Sequence, residues 1–265
     1  MSHPLEHRPS WPNLKARAPA RWWDAFFGPD YLLMYGAELT PERSAKEAEA
    51  AVRAVRLRRG QRVLDACCGF GRHLPWLARH GLRLVGFDRS PTQMTLAGKP
   101  AASAPGAALA RADARLLPFA DERFDASLCL YTSLGYFGED ENLLHLREIA
   151  RVTRRGGRLY VDNQNPSHIL PRLQPERRVE DPLSQITIIE QFEYDEAEHR
   201  LYALKTIISP KGKRDCWFVL RPYAMEELES MLASAGFRVQ ARFGDYDLRP
   251  YGKDTPRLIV TAKRE

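Results

Sequence analysis

Short apolar runs alternate with amphipathic segments between residues 60 and 165. Five of the runs predict β-strands: residues 62–66, 82–88, 107–113, 124–131 and 158–163. Between them, three segments carry apolar residues at helical spacing: residues 71–81, 90–99 and 141–152. Strands that alternate with helices form a parallel sheet that is covered on both faces. The run at 124–131 alternates too little for a half-exposed strand, so we expect it to be buried on both faces.

The region before the first predicted strand has a different pattern. Residues 1–20 are rich in proline and lack periodicity, which predicts an irregular arm. Residues 21–35 are rich in aromatic side chains and favour short helices. A longer helix is predicted to begin after Thr40, whose side chain can cap it, and to continue to about Arg58.

Residues 166–222 break the alternation of strand and helix. Within them, three segments alternate with period two, as half-exposed strands do: residues 184–195, 199–209 and 214–221. Turn residues separate these segments, which predicts an antiparallel meander. A helix over 224–237 follows, and two further strands, near 238–245 and at 257–263, end the chain.

Together these elements predict an α/β protein with a seven-stranded, mostly parallel sheet, helices on both faces and an inserted antiparallel β meander. We divide the chain into residues 1–60, an N-terminal arm and helical cap, residues 61–165 with 223–265, the α/β domain, and residues 166–222, the insertion. Loops beyond strand ends build specificity on a rigid frame, so we expect the insertion to cover a substrate or to form a dimer surface.

Composition sets the broad class of protein. The chain has 265 residues, of which 44% are hydrophobic, enough for a well-packed core. Because no run approaches the length of a membrane span and the first residues lack an apolar signal segment, we expect a cytoplasmic protein with no membrane partner. The four cysteines, Cys67, Cys68, Cys129 and Cys216, lack the spacing of a disulfide framework or a zinc site, so no metal is expected.

Basic residues exceed acidic ones, which gives a formal net charge of +6. The densest basic cluster lies between Arg53 and Arg62, at the end of a predicted helix. Cations there complement the helix dipole, and no stacking aromatics are interleaved with them. A nucleic-acid role for the cluster is therefore the less favoured interpretation.

Candidate chemistry gathers at the carboxyl ends of the predicted strands, where open α/β sheets bind ligands. Asp65 and Asp88 each end a strand, and a loop with Gly69 and Gly71 follows the first of them. Such a loop can cradle a nucleotide cofactor, although a tight strand-to-helix turn has the same pattern. Asp88 can accept hydrogen bonds from ribose hydroxyls, or it can cap the next helix.

The glycine loop favours an adenosine ligand without a pyrophosphate. Sites for dinucleotide cofactors need a third glycine for close helix packing. In this chain Gly69 and Gly71 are two residues apart, and the next position at that spacing is His73. This argues against a nicotinamide-dependent oxidoreductase.

At this point the chain resembles a known family, the class I S-adenosylmethionine-dependent methyltransferases, and within it a bacterial small-molecule branch. Four features carry the resemblance: VLDACCGFGRH (63–73), Asp88, ADARLLPFADERFD (112–125) and LCLYTSLGYF (128–137). The resemblance covers about residues 40–165 and the final helix and strands. It implies a Rossmann-like fold, S-adenosylmethionine as cofactor and S-adenosylhomocysteine as product.

The resemblance also implies roles for individual residues. Next to the methionine part of the cofactor it places Tyr31, Tyr35, Asp65, Cys67, Gly69, Gly71, Arg72, Leu130 and Tyr131. Cys67 stands where the family often has glycine. Around the adenosine it places Asp88 at the ribose, Arg89 and Met94 flanking the adenine, and Asp113 and Ala114 at the adenine edge.

Methyl transfer from a sulfonium is an in-line displacement that requires alignment more than acid–base chemistry. If a base is used, the candidates are Tyr136, after the fourth strand, and His73, in the first turn of the cofactor helix. His145 lies in the middle of a predicted helix and is expected on its solvated face.

The acceptor stays open at this point. The Asn/Asp-Pro-Pro-Tyr/Phe motif of many amino-directed nucleic-acid methyltransferases is absent, which argues against a nucleic-acid acceptor. The leading hypothesis is transfer to an N or O atom of a small molecule. The alternatives are a methyltransferase that acts on RNA or protein and a non-catalytic S-adenosylmethionine-binding protein, and a homodimer is possible in each case.

Overall fold

The computed structural model describes residues 13–181 and 185–265. The strands are β1 Arg62–Ala66, β2 Arg83–Asp88, β3 Ala107–Arg111, β4 Phe124–Cys129, β5 Thr153–Gln164, β6 Glu176–Asp181, β7 Ile186–Asp195, β8 Arg200–Ser209, β9 Gly212–Leu220, β10 Phe237–Phe243 and β11 Arg257–Arg264. The helices are α1 Trp23–Phe26, α2 Tyr31–Tyr35, α3 Pro41–Ala54, α4 Leu74–Ala78, α5 Pro91–Ala102, α6 Glu139–Val152, α7 Pro166–Ile169 and α8 Met225–Ser234. Short 3-10 turns occupy Lys15–Arg17 and Leu170–Arg172.

Seven strands form one sheet in the order β10-β11-β5-β4-β1-β2-β3. Strand β1 pairs in parallel with both β2 and β4, so the strand order reverses there. Strand β11 pairs antiparallel with β5 and β10. The predicted seven-stranded, mostly parallel α/β sheet is therefore confirmed, and the switch point, where such sheets bind ligands, lies between β1 and β4.

The central strands are apolar because both of their faces are covered. Leu128 and Cys129 of β4 are fully buried in two different core clusters, which confirms the prediction that this strand is buried on both faces. Val63 and Leu64 of β1 are fully buried as well. Val63 and Leu64 belong to two separate core clusters, one on each face of the sheet. The central strand ends are thus held by packing on both sides.

Helix α3 begins as its sequence predicts. The Thr40 hydroxyl accepts a hydrogen bond from the backbone N–H of Arg43 at 3.2 Å, and Pro41 occupies the first helical position. The helix ends at Ala54, four residues before the predicted Arg58, because Arg56 adopts a left-handed backbone with φ of 51°.

The predicted meander is present, with one strand more than expected. Strands β6 to β9 form a four-stranded antiparallel sheet in chain order. Strand β6, ERRVED, was missed because it is nearly all charged, as an edge strand that pairs on one side only can be. Residue 184, at the start of one predicted strand, and residues 1–12 of the predicted arm lie outside the described residues.

The chain divides into two compact units. Among the described residues, one unit comprises residues 13–26 and Leu170–Pro222, and the other comprises Phe27–Ile169 and Tyr223–Glu265. In the first unit, the Trp22 and Phe26 rings pack on Phe218 at centroid distances of 5.6 and 4.9 Å. The second unit contains the seven-stranded sheet. No helix within residues 13–181 or 185–265 has the length and apolar character to span a membrane.

Candidate functional site

The glycine loop follows β1 and has an unusual backbone. Cys67, Gly69 and Gly71 have φ angles of 54°, 56° and 75°. This left-handed region favours glycine, so Cys67 carries strain that its neighbours must offset. A Cβ atom on Gly71 would lie 3.1 Å from Leu74 and 3.3 Å from Ala97, so glycine is needed there for close packing of the loop.

Asp88, at the end of β2, fixes this loop. One carboxylate oxygen accepts from the backbone N–H of Gly69 at 3.0 Å, and the other accepts from that of Ser90 at 2.9 Å. Burial raises the pKa of Asp88, and these backbone hydrogen bonds oppose the rise. The carboxylate joins the carboxyl ends of β1 and β2 and lies where the sequence predicts a ribose ligand.

Asp65, at the end of β1, is a buried carboxyl group without a partner. Its side chain is 1% exposed, and neither oxygen has a hydrogen-bond partner among the described residues. Burial raises its pKa to about 7, while the charge of Arg72 opposes the rise. A buried carboxyl group left without a partner is destabilising, so this position is suited to a ligand with a cationic, hydrogen-bonding group.

A buried charge cluster surrounds Glu47 of α3. Its carboxylate contacts Arg43 at 2.9 Å, His73 at 2.8 Å and the guanidinium of Arg72. Burial opposes ionisation, but the hydrogen bond from His73 and the charge of Arg72 lower the pKa of Glu47 to about 2. Burial, aided by the charge of Arg72, lowers the pKa of His73 to about 4, so the imidazole is neutral at neutral pH.

Arg43 and Arg72 outnumber the single buried carboxylate of Glu47, and the exposed Glu38 carboxylate lies 3.8 Å from Arg43. Both guanidinium groups lie over the ring of Tyr131, at 4.9 and 4.7 Å from its centroid. The site thus combines a cationic side at Arg43 and Arg72 with the acidic Asp65. This arrangement complements a ligand that carries both an ammonium and a carboxylate.

The turn after β4 is strained and is held in place by buried partners. Tyr131 and Thr132 have φ angles of 53° and 61°. Asp162 accepts from both of their backbone N–H groups, through its side chain at 3.0 Å and its carbonyl at 2.7 Å. The buried Arg257 donates to the Asp162 carboxylate at 2.7 Å, and Tyr246 donates to it at 3.1 Å. Such an overdetermined turn positions Tyr131 at a fixed place in the site.

A strip of aromatic rings belongs to the same unit. Tyr31 packs on Tyr35 at 5.2 Å, and Phe27 packs on Tyr31 and Tyr136 at 5.6 Å each. The carbonyl of Phe27 accepts from the Ser90 hydroxyl at 2.7 Å, which ties the strip to the start of α5. The segment with the predicted residues Tyr31 and Tyr35 is thereby anchored next to Asp88.

The predicted adenine-edge residues lie after β3. The Asp113 carboxylate pairs with Arg115 at 2.8 Å and approaches Arg89 at 3.4 Å. The hydrogen bond from Arg115 lowers the pKa of Asp113. Ala114 is buried beside it, and Met94 is half-buried on α5.

Both candidate bases have other partners in the structure. The Tyr136 hydroxyl donates to the carbonyl of Thr132, and burial raises its pKa well above the ordinary value. His73 is hydrogen-bonded to Glu47. The structure corrects the expectation for His145, which is fully buried rather than solvated. It shares its helix face with Leu146 and Ile149, which are also fully buried, so helical spacing places it in the apolar stripe.

Several residues of the candidate site were not predicted from the sequence: Phe27, Arg43, Glu47, Asp162, Tyr246 and Arg257. Arg43 and Glu47 are four residues apart on a predicted helix, so their spacing was a usable signal for that pair. The pairing of Asp162 with Arg257 joins positions far apart in the chain, and no local pattern indicates it.

Comparison with known proteins fits this geometry. A family model described as a methyltransferase domain matches residues 63–157, which span β1 to the start of β5. A demethylmenaquinone methyltransferase from Beutenbergia cavernae is 40% identical over 112 residues, which cover 42% of this chain and 44% of the relative. The chain spans about half or less of the length of the curated relatives it matches.

Solved structures show the same fold over most of the chain. The CcbJ methyltransferase from Streptomyces caelestis aligns with a TM-score of 0.76 at 21% identity, over 91% of this chain and 98% of that one. The sugar N-methyltransferase KedS8 from Streptoalloteichus aligns with a TM-score of 0.67 at 24% identity, over 90% and 94%.

The strand order of the sheet, with its glycine loop and strand-end carboxylates, is that of the Rossmann-like fold of class I methyltransferases. The expected resemblance is therefore confirmed. Residues 63–157 match the model of a methyltransferase domain, and most of the chain has the fold of solved methyltransferases.

Proposed function

We propose that this chain transfers the methyl group of S-adenosylmethionine to an N or O atom of a small-molecule acceptor. The observation that carries the proposal is the buried Asp65 carboxyl group, which has no hydrogen-bond partner among the described residues, in the same site as the Arg43 and Arg72 guanidinium groups. The methionine part of the cofactor has one ammonium and one carboxylate, so its charges match the two sides of the site.

The other predicted positions fit the rest of the cofactor. Asp88 holds the glycine loop and would bind the ribose hydroxyls, as strand-end carboxylates do in nucleotide-binding sheets. Asp113 and Ala114 would meet the adenine edge, with Arg89 and Met94 beside the ring. Gly69 and Gly71 allow the backbone to approach the methionine chain, and Leu130 and Tyr131 border it from β4.

The bound cofactor supplies an activated methyl group, whose carbon–sulfur bond breaks as the acceptor atom bonds to carbon, leaving S-adenosylhomocysteine. The protein contributes alignment and exclusion of water. An acceptor amine that enters neutral needs no base. We assign His73 to positioning Glu47, and Tyr136 to holding the strained turn at Thr132, since both groups are neutral at pH 7 and already hydrogen-bonded.

The names of similar proteins support a small-molecule acceptor. They include methyltransferases of demethylmenaquinone and of 2-phytyl-1,4-naphthoquinone, and an amino pentose methyltransferase. We propose that the insertion at residues 166–222 selects the acceptor. A dimer contact through the same insertion is the competing role, and sedimentation of the chain at several concentrations distinguishes the two.

The test is transfer of a labelled methyl group from S-adenosylmethionine to a panel of amines, amino sugars, phenols and quinones. We expect labelled product on an N or O atom, with one S-adenosylhomocysteine formed per methyl transferred. Asp88→Ala should abolish transfer. The matched control is Asp140→Ala, an exposed carboxylate on α6, which should retain it. A chain that binds the cofactor but methylates no member of the panel, and instead methylates RNA or protein, would contradict the proposal.

A further inference from the structure

A basic cavity lies beside the amino end of β5 and along β10 and β11, on the unit that contains the seven-stranded sheet. Its volume is about 580 Å³, and its wall includes Arg53, Arg56, Arg158 and Lys263. A smaller cavity of about 200 Å³ shares Arg56 and Arg158 with it and adds Arg58. The ligand edge of the sheet described above is formed by the carboxyl ends of the parallel strands, opposite the amino end of β5.

No carboxylate within residues 13–181 or 185–265 forms an ion pair with the cations that line the larger cavity. The wall of the larger cavity contains no carboxylate. Among the described residues, Arg53, Arg56 and Lys263 form no ion pair, and all three are exposed. The carboxylate of the smaller cavity, Asp125, is already bonded to Arg154 and to the backbone of Arg62, at 2.8 Å each.

Only one of the four cationic side chains is bonded to carbonyl groups at the end of α3. The Arg158 guanidinium donates to the carbonyls of Val55 and Arg56, which follow the helix. Arg53, Arg56 and Lys263 make no such bond among the described residues. Four cations that converge on one concave surface without acidic partners form an anion-binding surface.

The uncharged residues that line the larger cavity, together with its volume, indicate the size and polarity of the ligand. Phe243 and Leu248 provide an apolar surface, and Gln240 and Thr261 lie along the same wall. The volume falls in the range of about 300–1,000 Å³ typical of small-molecule sites. We propose that this cavity binds a phosphate-bearing small molecule of nucleotide size, with its phosphates on the arginines and lysine and its ring against Phe243.

The test is calorimetric titration with inorganic pyrophosphate and with uridine triphosphate, in low salt and without divalent metal. The cavity variant is Arg53→Gln/Arg56→Gln/Lys263→Gln, which removes three exposed charges and no buried contact. We expect both ligands to bind wild type at least about tenfold more tightly than this variant. The matched control is Lys99→Gln/Arg123→Gln/Arg147→Gln, which removes equal charge elsewhere and should bind like wild type.

Asp88→Ala should also bind both ligands like wild type, which separates this site from the proposed cofactor site and makes the outcome independent of methyl transfer. Equal binding by the cavity variant and wild type, or no binding by either, would overturn the proposal. If a short oligouridylate binds more tightly than uridine triphosphate and the cavity variant loses it, the cavity is an RNA contact and the small-molecule proposal is wrong.

Discussion

The two ends of the seven-stranded sheet hold their charges in opposite ways. At the carboxyl end, Glu47 pairs with Arg72 and Asp162 pairs with Arg257, and all four side chains are buried. At the amino end, Arg53 and Arg56 are exposed and form no ion pair within the described part of the chain. Desolvation explains the difference, since a buried charge must be paired, whereas an exposed one is stabilised by water. Asp65 is the exception at the carboxyl end, and that exception indicates a ligand.

The largest expected effect comes from breaking the buried cluster. Glu47→Ala leaves Arg72 and His73 buried without their common partner, so we expect a loss of about 3–5 kcal/mol in the free energy of unfolding. Urea denaturation measures it. The control is Glu49→Ala, on the same helix but exposed and paired only with His80, which should cost at most about 1 kcal/mol. Similar losses for both variants would contradict the description of a buried cluster.

The next effect concerns Asp65 and the pH dependence of cofactor affinity. Its pKa is about 7, and a cationic ligand group binds the ionised form. Affinity for S-adenosylmethionine should therefore fall about tenfold per pH unit below about 7, with up to one proton released on binding. Calorimetry in buffers of different ionisation enthalpy measures that proton. Asp65→Asn should bind S-adenosylmethionine more weakly and should release no proton on binding. If this variant releases as many protons as wild type, the proton comes from a group other than Asp65.

His145 should limit stability in acid. Burial lowers its pKa to about 4 from an ordinary 6.5, and neither ring nitrogen has a hydrogen-bond partner among the described residues. The unfolded chain takes up a proton there as pH falls below about 6.5, and the folded chain does so only near 4, so stability declines over that window. His145→Leu should raise the free energy of unfolding by about 1–2 kcal/mol and flatten this decline. Destabilisation at neutral pH would show that the imidazole has a partner.

The smallest effect is expected at the amino end. The triple variant Arg53→Gln/Arg56→Gln/Lys263→Gln should change the free energy of unfolding by less than about 0.5 kcal/mol, because exposed unpaired charges contribute little. Thermal unfolding checks it beside the Lys99→Gln/Arg123→Gln/Arg147→Gln control. If the triple variant loses as much free energy of unfolding as Glu47→Ala does, the charges at the two ends of the sheet do not differ in the way described.

The sequence predicts much of the fold because the relevant signals are local. Apolar runs and caps such as Thr40 identify most elements, and the glycine loop with Asp88 identifies the site edge. Strand β6 was missed because a charged edge strand has no apolar period. Helix α3 was predicted too long because its end depends on the left-handed Arg56.

The pairing of charges in the site was not predictable in the same way. Arg72 meets Glu47, and Arg257 meets Asp162, only after the sheet has assembled. The strained backbone at Tyr131 and Thr132 likewise depends on Asp162, which is distant in sequence. Local pattern therefore indicated a candidate site, and tertiary packing determines which of its charges remain available to a ligand.

Binding of S-adenosylmethionine at the carboxyl end of the sheet is measured by calorimetric titration. The purified chain is titrated with S-adenosylmethionine, S-adenosylhomocysteine and NAD, beside Asp88→Ala. We predict that wild type binds both adenosyl ligands, does not bind NAD, and loses binding in the variant. Binding of NAD alone, or of none of the three, would contradict the account.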